Sequence, residues 1–278
     1  MEIALGCYAN AACSAASEVA DGLLAWAAHP GALPVDVSVY VELLRGLRAL
    51  LDSGDSRTCA SQLISDTVET WFDLLQATRD ADVASGCLDV LHCACVRSAA
   101  MLATLIARVP MFTCILQEYA ASPAVTDAVL RLLETLVSSS ASDGIPAADL
   151  QRLAHTAAAA LADSESNDIL VSLCCVLRAL HINEGVAQSS AVRALRGASL
   201  ERLTTVALVV VAEDLNTEDQ REEGEAVWEL LLACVEGSGA ETVAVKARSL
   251  PDETRAALGS ELWGAFARRV LSRCQESQ

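Results

Sequence analysis

Aromatic residues, prolines and glycines are scarce in this chain. Aromatic side chains make up 4% of its 278 residues, and there are only 6 prolines and 14 glycines. The apolar content comes mainly from Ala, Leu and Val, small and medium side chains that allow helices to pack closely, and the aromatic-rich strands of a β protein are missing. Prolines and glycines fall mostly between the apolar segments, where helices end. The composition therefore predicts an all-α protein.

Long hydrophobic runs are also absent. The longest dense apolar run is Val206–Ala212, far shorter than the roughly 20 residues that a transmembrane helix needs. We expect no secretory signal either, because Glu2 follows Met1 and no basic segment precedes an apolar one. The sequence predicts a protein without a membrane span.

The 11 cysteines do not fit a disulfide scaffold. Their number is odd, and most lie inside apolar segments, where free cysteine behaves as a small buried hydrophobe. Secreted disulfide scaffolds are short and loop-rich, unlike this chain. We therefore expect a reducing intracellular compartment, the cytoplasm and/or the nucleus.

Basic residues are few relative to acidic residues. The chain has 19 basic and 37 acidic residues, a formal net charge of −18. A surface of this sign repels phosphate backbones, which argues against direct nucleic-acid binding. The expected partner is another protein.

Motifs that would name a reaction are missing. There is no phosphate-binding glycine loop, no nucleophile elbow and no HExxH. His92, Cys93 and Cys95 form an HCAC cluster, but residues two apart on a helix point about 200° apart, so this spacing does not make a zinc site. The adjacent Cys174 and Cys175 diverge likewise. We predict no catalytic residues, no metal, no cofactor and no enzymatic activity.

One helical pattern returns along the chain. Segments of the form ALxxLxxAL recur at a spacing of about 42 residues, starting at Ala4, Val41, Ser85, Asp127, Leu170 and Ala226. This period is typical of armadillo and HEAT repeats, in which units that cannot bury their apolar faces alone stack into one elongated core. We predict a right-handed α-solenoid of about five to six armadillo/HEAT-like repeats, the first incomplete. It forms a single domain over 1–278.

Turn residues and apolar spacing place the helices within this repeat. The predicted helices cover 2–13, 16–28, 36–52, 57–78, 82–97, 99–120, 124–139, 147–162, 167–182, 186–196, 199–213, 219–236 and 252–274. Residues 138–144 form a polar loop between repeats. An acid-rich insertion near 213–225 precedes the last repeat, as a solvated surface segment or a docking site for a basic ligand. Leu130 lies at helical spacing with Leu133 and Leu136, and we expect it to be buried.

The opening segment EIALGCYANAAC, Glu2–Cys13, resembles the third helix of an armadillo repeat, with Asn10 at the position of that helix's asparagine. The resemblance implies that Asn10 lines the concave groove and holds a ligand's main chain. Later repeats carry Cys93, Thr135, Arg178 and Leu232 at the matching position. The asparagine ladder is therefore missing, which argues against binding extended basic peptides as import receptors do.

The order of elements also resembles the serum amyloid A-like family of armadillo-like proteins. The likeness rests on the EIxLGxxxNxAC opening and on Trp71–Val96, where WFDLL precedes ASGCLDVLHCACV. It implies a eukaryotic, non-enzymatic nuclear factor that supports cell proliferation, and it supplies no catalytic residues.

Four arginines lie on the repeat helices: Arg45, Arg48, Arg131 and Arg178. In armadillo folds these helices line the concave face, where a guanidinium can bind carboxylates or phosphorylated residues. The alternative is pairing with the chain's own acids. With Asn10 they are the predicted partner-binding residues of a protein-binding scaffold that uses its concave face. The alternatives are a regulatory subunit of an enzyme complex and a transport adaptor recognising linear peptide signals.

Overall fold

The computed structural model describes residues 37–52, 64, 67–184, 189–212, 218–235, 243 and 245. Across these ranges the regular structure is helical, with no strand. The helices are α1 (Val37–Asp52), α2 (Val68–Ala77), α3 (Ala81–Cys95), α4 (Ala99–Ile106), α5 (Val109–Glu118), α6 (Pro123–Ser138), α7 (Ala147–Asp163), α8 (Asn167–Glu184), α9 (Ser190–Ala194), α10 (Ala198–Ala212) and α11 (Glu218–Cys234), with a 3-10 turn at Ser142–Gly144.

The chain divides into two compact units, Met1–Leu105 and Ile106–Gln278. Each has its own buried apolar side chains, including Trp71 and Phe72 in the first and Phe112 and Leu133 in the second. A single domain over 1–278 stays a prediction.

In the first unit, α3 packs against both α1 and α2. The contact with α1 depends on Gly86, in the middle of α3. A Cβ added at Gly86 would lie 2.9 Å from Cδ1 and 3.1 Å from Cβ of Leu44, which is fully buried. Glycine weakens a helix interior by about 1 kcal/mol relative to alanine, and here that loss permits the close approach of the two repeat helices.

The second unit is built from two rows of helices. In one row α8 lies between α6 and α11, and in the other α7 lies between α5 and α10. The rows pack on each other through the pairs α5–α6, α7–α8 and α10–α11. The row α6, α8 and α11 consists of the repeat segments predicted from Asp127, Leu170 and Ala226. These segments do lie side by side, as the period requires.

Hydrogen bonds also join residues about one repeat apart. Gln117 Nε2 donates to Thr156 Oγ1 at 2.9 Å, 39 residues on. Ser142 Oγ is bonded to Asn183 Oδ1 at 3.2 Å, 41 residues on. These separations match the predicted period of about 42 residues.

The interior of the second unit is apolar on both sides of its central helices. Leu130, Leu133 and Leu136 of α6 are fully buried, which confirms the prediction for Leu130. Helix α6 is enclosed because it packs on α5 of the other row and on α8 beside it. Trp228 is buried at 7% exposure, in keeping with a packing role.

Two predicted helices differ from those observed. The single helix expected over 99–120 is wrong: it is two helices, α4 and α5, with Pro110 in the first turn of α5, where its missing N–H is tolerated. The helix expected over 186–196 contains the short α9, which Ser189 caps by accepting from the Val192 N–H. Gly197 then adopts a φ of 55° before α10 begins, a conformation that favours glycine.

The acid-rich segment is partly helical. Residues from Glu218 onward form the first turns of α11, while 213–217 lie outside the described residues. The predicted helices at 2–13, 16–28 and 252–274 also lie outside them.

Among the described residues, no single helix is long and apolar enough to cross a membrane. Helices α4 and α5 together meet the length and composition of a span, but only as a bent pair.

Candidate partner-binding surface

The row of helices α6, α8 and α11 keeps one side open to solvent. We call this side the repeat-helix face. Its residues share partial or full exposure at helical spacing, beside buried residues of the same helices. They are Asp127, Arg131, Glu134 and Thr135 of α6, Val171, Cys175, Arg178 and Ile182 of α8, and Glu229 and Leu232 of α11.

Ion pairs hold the two arginines of this face. Arg131 Nη2 lies 3.1 Å from Asp127 Oδ2, one turn earlier on the same helix. Arg178 Nε donates to Glu229 Oε2 at 2.5 Å, from α8 to α11. The four side chains are 36–46% exposed, so water screens both pairs.

The arginines of the first unit are paired as well. Arg45 Nη1 lies 2.6 Å from Glu42 Oε1 on α1, with both side chains about 70% exposed. Arg48 Nη1 donates to Asp89 Oδ2 at 2.5 Å, from α1 to α3. Arg45, Arg48 and Asp89, with Asp82, line a small cavity of about 170 Å³ between α1 and α3.

The structure therefore places each of the four predicted arginines against an acid of the chain itself. Two of the pairs, Arg48–Asp89 and Arg178–Glu229, link neighbouring repeat helices. Binding of a partner by these arginines stays a prediction. Asn10 lies outside the described residues.

Apolar side chains lie beside the charged pairs. Ile182 of α8 is 60% exposed, and Cys175 and Leu232 are half-buried. Ile182 was not predicted as a site residue, because the prediction for this face rested on charged side chains alone. A signal was present: Ile182 lies four residues after Arg178 and seven after Cys175, so the three share one side of α8.

Thiols behind this face are poor nucleophiles. Burial, with smaller contributions from the neighbouring thiols of Cys175 and Cys234, raises the pKa of Cys174. Burial also raises the pKa of Cys234 to about 12. The thiolate, which is the reactive form, is therefore disfavoured at neutral pH.

The HCAC cluster in α3 is arranged as part of a helix. Cys95 donates its S–H to the backbone carbonyl of His92 at 3.1 Å, and burial raises its pKa to about 12. None of the seven described cysteines forms a disulfide. Within the described part of the chain, no group of three or more His, Cys, Asp or Glu residues could hold a metal ion.

Comparison with known proteins identifies the fold. No family model and no curated protein sequence matches the chain. A designed armadillo repeat protein superposes with a TM-score of 0.52 at 14% identity, over 91% of this chain and 98% of its own. An engineered protein solved by the Northeast Structural Genomics Consortium superposes with a TM-score of 0.53 at 16% identity, over 88% of this chain and 93% of its own. The fold is an armadillo-like α-solenoid, and the narrower likeness to the serum amyloid A-like family receives no support.

Proposed function

We propose that this protein is a non-enzymatic binding scaffold and that the repeat-helix face holds its protein partner. One observation carries the proposal. Helices from three successive repeats present a continuous side on which ion pairs lie beside the exposed Ile182 and the half-buried Leu232. Partner-binding surfaces combine an apolar centre with a polar rim in this way.

The arginine pairs on this face suit exchange with a partner. Exposed ion pairs contribute about 0–1 kcal/mol, so an incoming acidic or phosphorylated group can replace Asp127 or Glu229 with little loss. Arg131 and Arg178 can then each bind that group with two parallel hydrogen bonds. Ile182 would supply the apolar anchor.

The arginines of the first unit form a separate part of the proposal. Arg45, with an exposed partner, is open to the same exchange. The partner of Arg48 is Asp89, whose side chain is only 16% exposed, so this pair serves mainly to join α1 to α3. Asn10 is included through its resemblance to the groove asparagine of armadillo repeats.

Charge reversal with a matched control tests the proposal. Tagged wild type, Arg131→Glu/Arg178→Glu and Arg152→Glu/Arg193→Glu are used for affinity capture, and captured proteins are quantified by mass spectrometry. The control pair makes the same charge change at exposed positions on α7 and α9. We expect the face variant to lose specific partners at least tenfold, on the scale of losing a charge-assisted contact, while the control keeps them.

Two results would contradict the face as the site. One is full capture by the face variant with unchanged helical circular dichroism. The other is loss of capture only when Glu218, Asp219, Glu222 and Glu223 are changed to Lys, which would assign binding to the acid-rich segment and a basic ligand. The identity of the captured proteins also distinguishes the alternative functions. A regulatory subunit should capture an enzyme, and a transport adaptor should capture several proteins that share one linear peptide signal.

Cellular location is a separate part of the proposal. A role as a nuclear factor in cell proliferation rests on the segments Glu2–Cys13 and Trp71–Val96 alone. Imaging of the tagged full chain tests this role. Exclusion of the protein from the nucleus in dividing cells would contradict the nuclear role and would leave the proposed binding face unaffected.

A further inference from the structure

A cavity of about 550 Å³ lies within the second unit and shares no residue with the repeat-helix face. We call it the α5–α7 cavity. It is formed by the end of α5, the turn into α6, the second half of α7 and the connection to α8. The lining residues are Leu116, Gln117, Ala120, Ala121, Pro123, Thr126, Thr156, Ala159, Ala160, Asp163, Ser164, Glu165, Ser166 and Ile169.

Small side chains create this cavity and hydrogen bonds fix its walls. Four of the lining residues are alanines, which leave space between α5 and α7. Gln117 of α5 donates to Thr156 of α7 at 2.9 Å, and Thr126 of α6 donates to the Tyr119 carbonyl at 3.2 Å. These wall groups already have partners inside the protein, so they leave ligand recognition to other residues.

Two carboxylates at the cavity lack partners. Among the described residues, neither Asp163 nor Glu165 forms an ion pair or a side-chain hydrogen bond, and no Lys, Arg or His lines the cavity. Arg202 of α10 reaches the same connection, but its Nη2 donates to the backbone carbonyl of Ser164 at 2.8 Å. Both acids therefore remain available to an external cation.

The negative character of the cavity comes from its side chains. Helices α5 and α7 end beside it at Glu118 and Asp163, while α6 and α8 begin beside it at Pro123 and Asn167. The partial charges at these two kinds of helix end have opposite signs and offset each other. The two carboxylates favour a positively charged ligand, and the alanines with Leu116 and Ile169 favour an apolar stem.

We propose that the α5–α7 cavity binds a lysine or arginine side chain from a partner protein. Its methylene stem lies on Leu116, Ala120 and Ile169, as long basic side chains lie on apolar surfaces, and its charged head lies at Asp163 and Glu165. The volume falls within the range of about 300–1,000 Å³ that holds small ligands, so an adjacent apolar residue of the same segment occupies the remaining space.

Methyl NMR of the full chain with two short peptides tests this inference. The probes are acetyl-Leu-Arg-Leu-amide and acetyl-Leu-Glu-Leu-amide, and the reporters are the methyl groups of Ile169 in the cavity and Ile182 on the repeat-helix face. We expect the basic peptide to shift the Ile169 signal saturably and the acidic peptide to bind at least tenfold more weakly. The Ile182 signal should stay in place.

Matched variants separate this site from general attraction to an acidic protein. Asp163→Asn/Glu165→Gln should weaken binding of the basic peptide at least tenfold. Asp143→Asn/Asp149→Asn, which removes the same charge elsewhere in the second unit, should leave it unchanged. Ala160→Leu fills the cavity and should abolish the Ile169 shift.

Three outcomes would overturn the inference. They are equal binding of both peptides, equal weakening by both pairs of acid variants, and the absence of a saturable Ile169 shift with the basic peptide. A shift confined to Ile182 would place the peptide on the other surface and overturn it as well. None of these outcomes bears on the proposed function of the repeat-helix face, which capture of its own partners tests separately.

Discussion

The repeat-helix face and the α5–α7 cavity belong to the same unit but differ in whether their charged side chains are paired. On the face, Arg131 and Arg178 are each held by a carboxylate of the chain. At the cavity, Asp163 and Glu165 have no such cation among the described residues. A net charge of −18 therefore says little about any one surface. Recognition depends on where the acids are left without partners.

Helix geometry sharpens this contrast. Asp127 precedes Arg131 by one turn, an arrangement that stabilises a helix, and Arg178 reaches Glu229 on the next repeat helix. Asp163 instead ends α7, where an acid opposes the helix dipole. The ion pairs of the face are stabilising, whereas Asp163 at the cavity is unfavourable for the end of its own helix. Such local conflicts are typical of positions that serve binding.

The largest expected effect concerns the packing beneath the face. Leu130 is fully buried between the two rows of helices. Leu130→Ala removes buried apolar atoms and leaves a void, and should lower the free energy of unfolding by about 2–5 kcal/mol.

The matched change on the cavity side is Ala160→Leu, whose larger side chain enters open space and should alter stability by less than about 1 kcal/mol. Urea unfolding followed by circular dichroism measures both variants. Equal losses would show that the cavity side is packed as tightly as the face, and a negligible loss for Leu130→Ala would contradict the assignment of the buried side of α6.

The next largest expected effect is a loss of stability at alkaline pH, caused by buried thiols in helices α8 and α11 of the face. Burial raises the pKa of Cys234 to about 12 and also raises that of Cys174, while no cysteine lines the cavity. A thiol exposed by unfolding ionises near pH 8.5, so above about this pH the unfolded chain binds fewer protons than the folded one. The stabilisation is complete below about pH 8.5 and falls by about 1.4 kcal/mol per pH unit per thiol as pH rises toward the folded pKa.

The measurement is the unfolding free energy at several alkaline pH values for wild type and Cys174→Ala. The variant loses some packing at every pH, so the informative quantity is the slope, which should be shallower by about 1.4 kcal/mol per pH unit. Identical slopes would mean that Cys174 is not kept protonated by burial. Cys114→Ala, at an exposed thiol, is the control.

The sequence predicted which segments form the rows of helices better than it predicted the contacts of their exposed residues. The recurring apolar segments located α6, α8 and α11 because burial imposes its period directly on the residues. The break between α4 and α5 was missed because Pro110 lies within a continuous apolar pattern, which hides the boundary.

The site was harder to predict for a physical reason. The sequence located the arginines Arg131 and Arg178, but their partners depend on which helices become neighbours. Glu229 is 51 residues from Arg178, and nothing local joins them. The cavity was not predicted at all, because it arises from alanines of α7 and of the turn between α5 and α6, which only the packing brings together.

Removing the acid that ends α7 should raise stability slightly. Asp163 is the last residue of α7, where an acid opposes the helix dipole, and it forms no ion pair among the described residues. Asp163→Asn should raise the free energy of unfolding by about 0.3–1 kcal/mol at low salt, with the difference shrinking as salt is added. Denaturant titration at two ionic strengths measures it. A loss of stability would show that this carboxylate is already paired, which would remove the difference between the two surfaces.

The smallest expected effect is the coupling between Arg178 and Glu229 on the face. Both side chains are more than one-third exposed, so water screens the attraction that their 2.5 Å contact suggests. A double-mutant cycle of Arg178→Ala, Glu229→Ala and the double variant should give a coupling of about 0.2–1 kcal/mol in favour of the pair, which declines with added salt. The sign is opposite to that at the cavity, where loss of charge stabilises.

A coupling well above about 1 kcal/mol would mean that the pair is a structural link between α8 and α11, and a partner's acidic group could not readily displace Glu229. A coupling near zero would leave the guanidinium of Arg178 freely exchangeable, which is the condition that binding an acidic partner on this face requires.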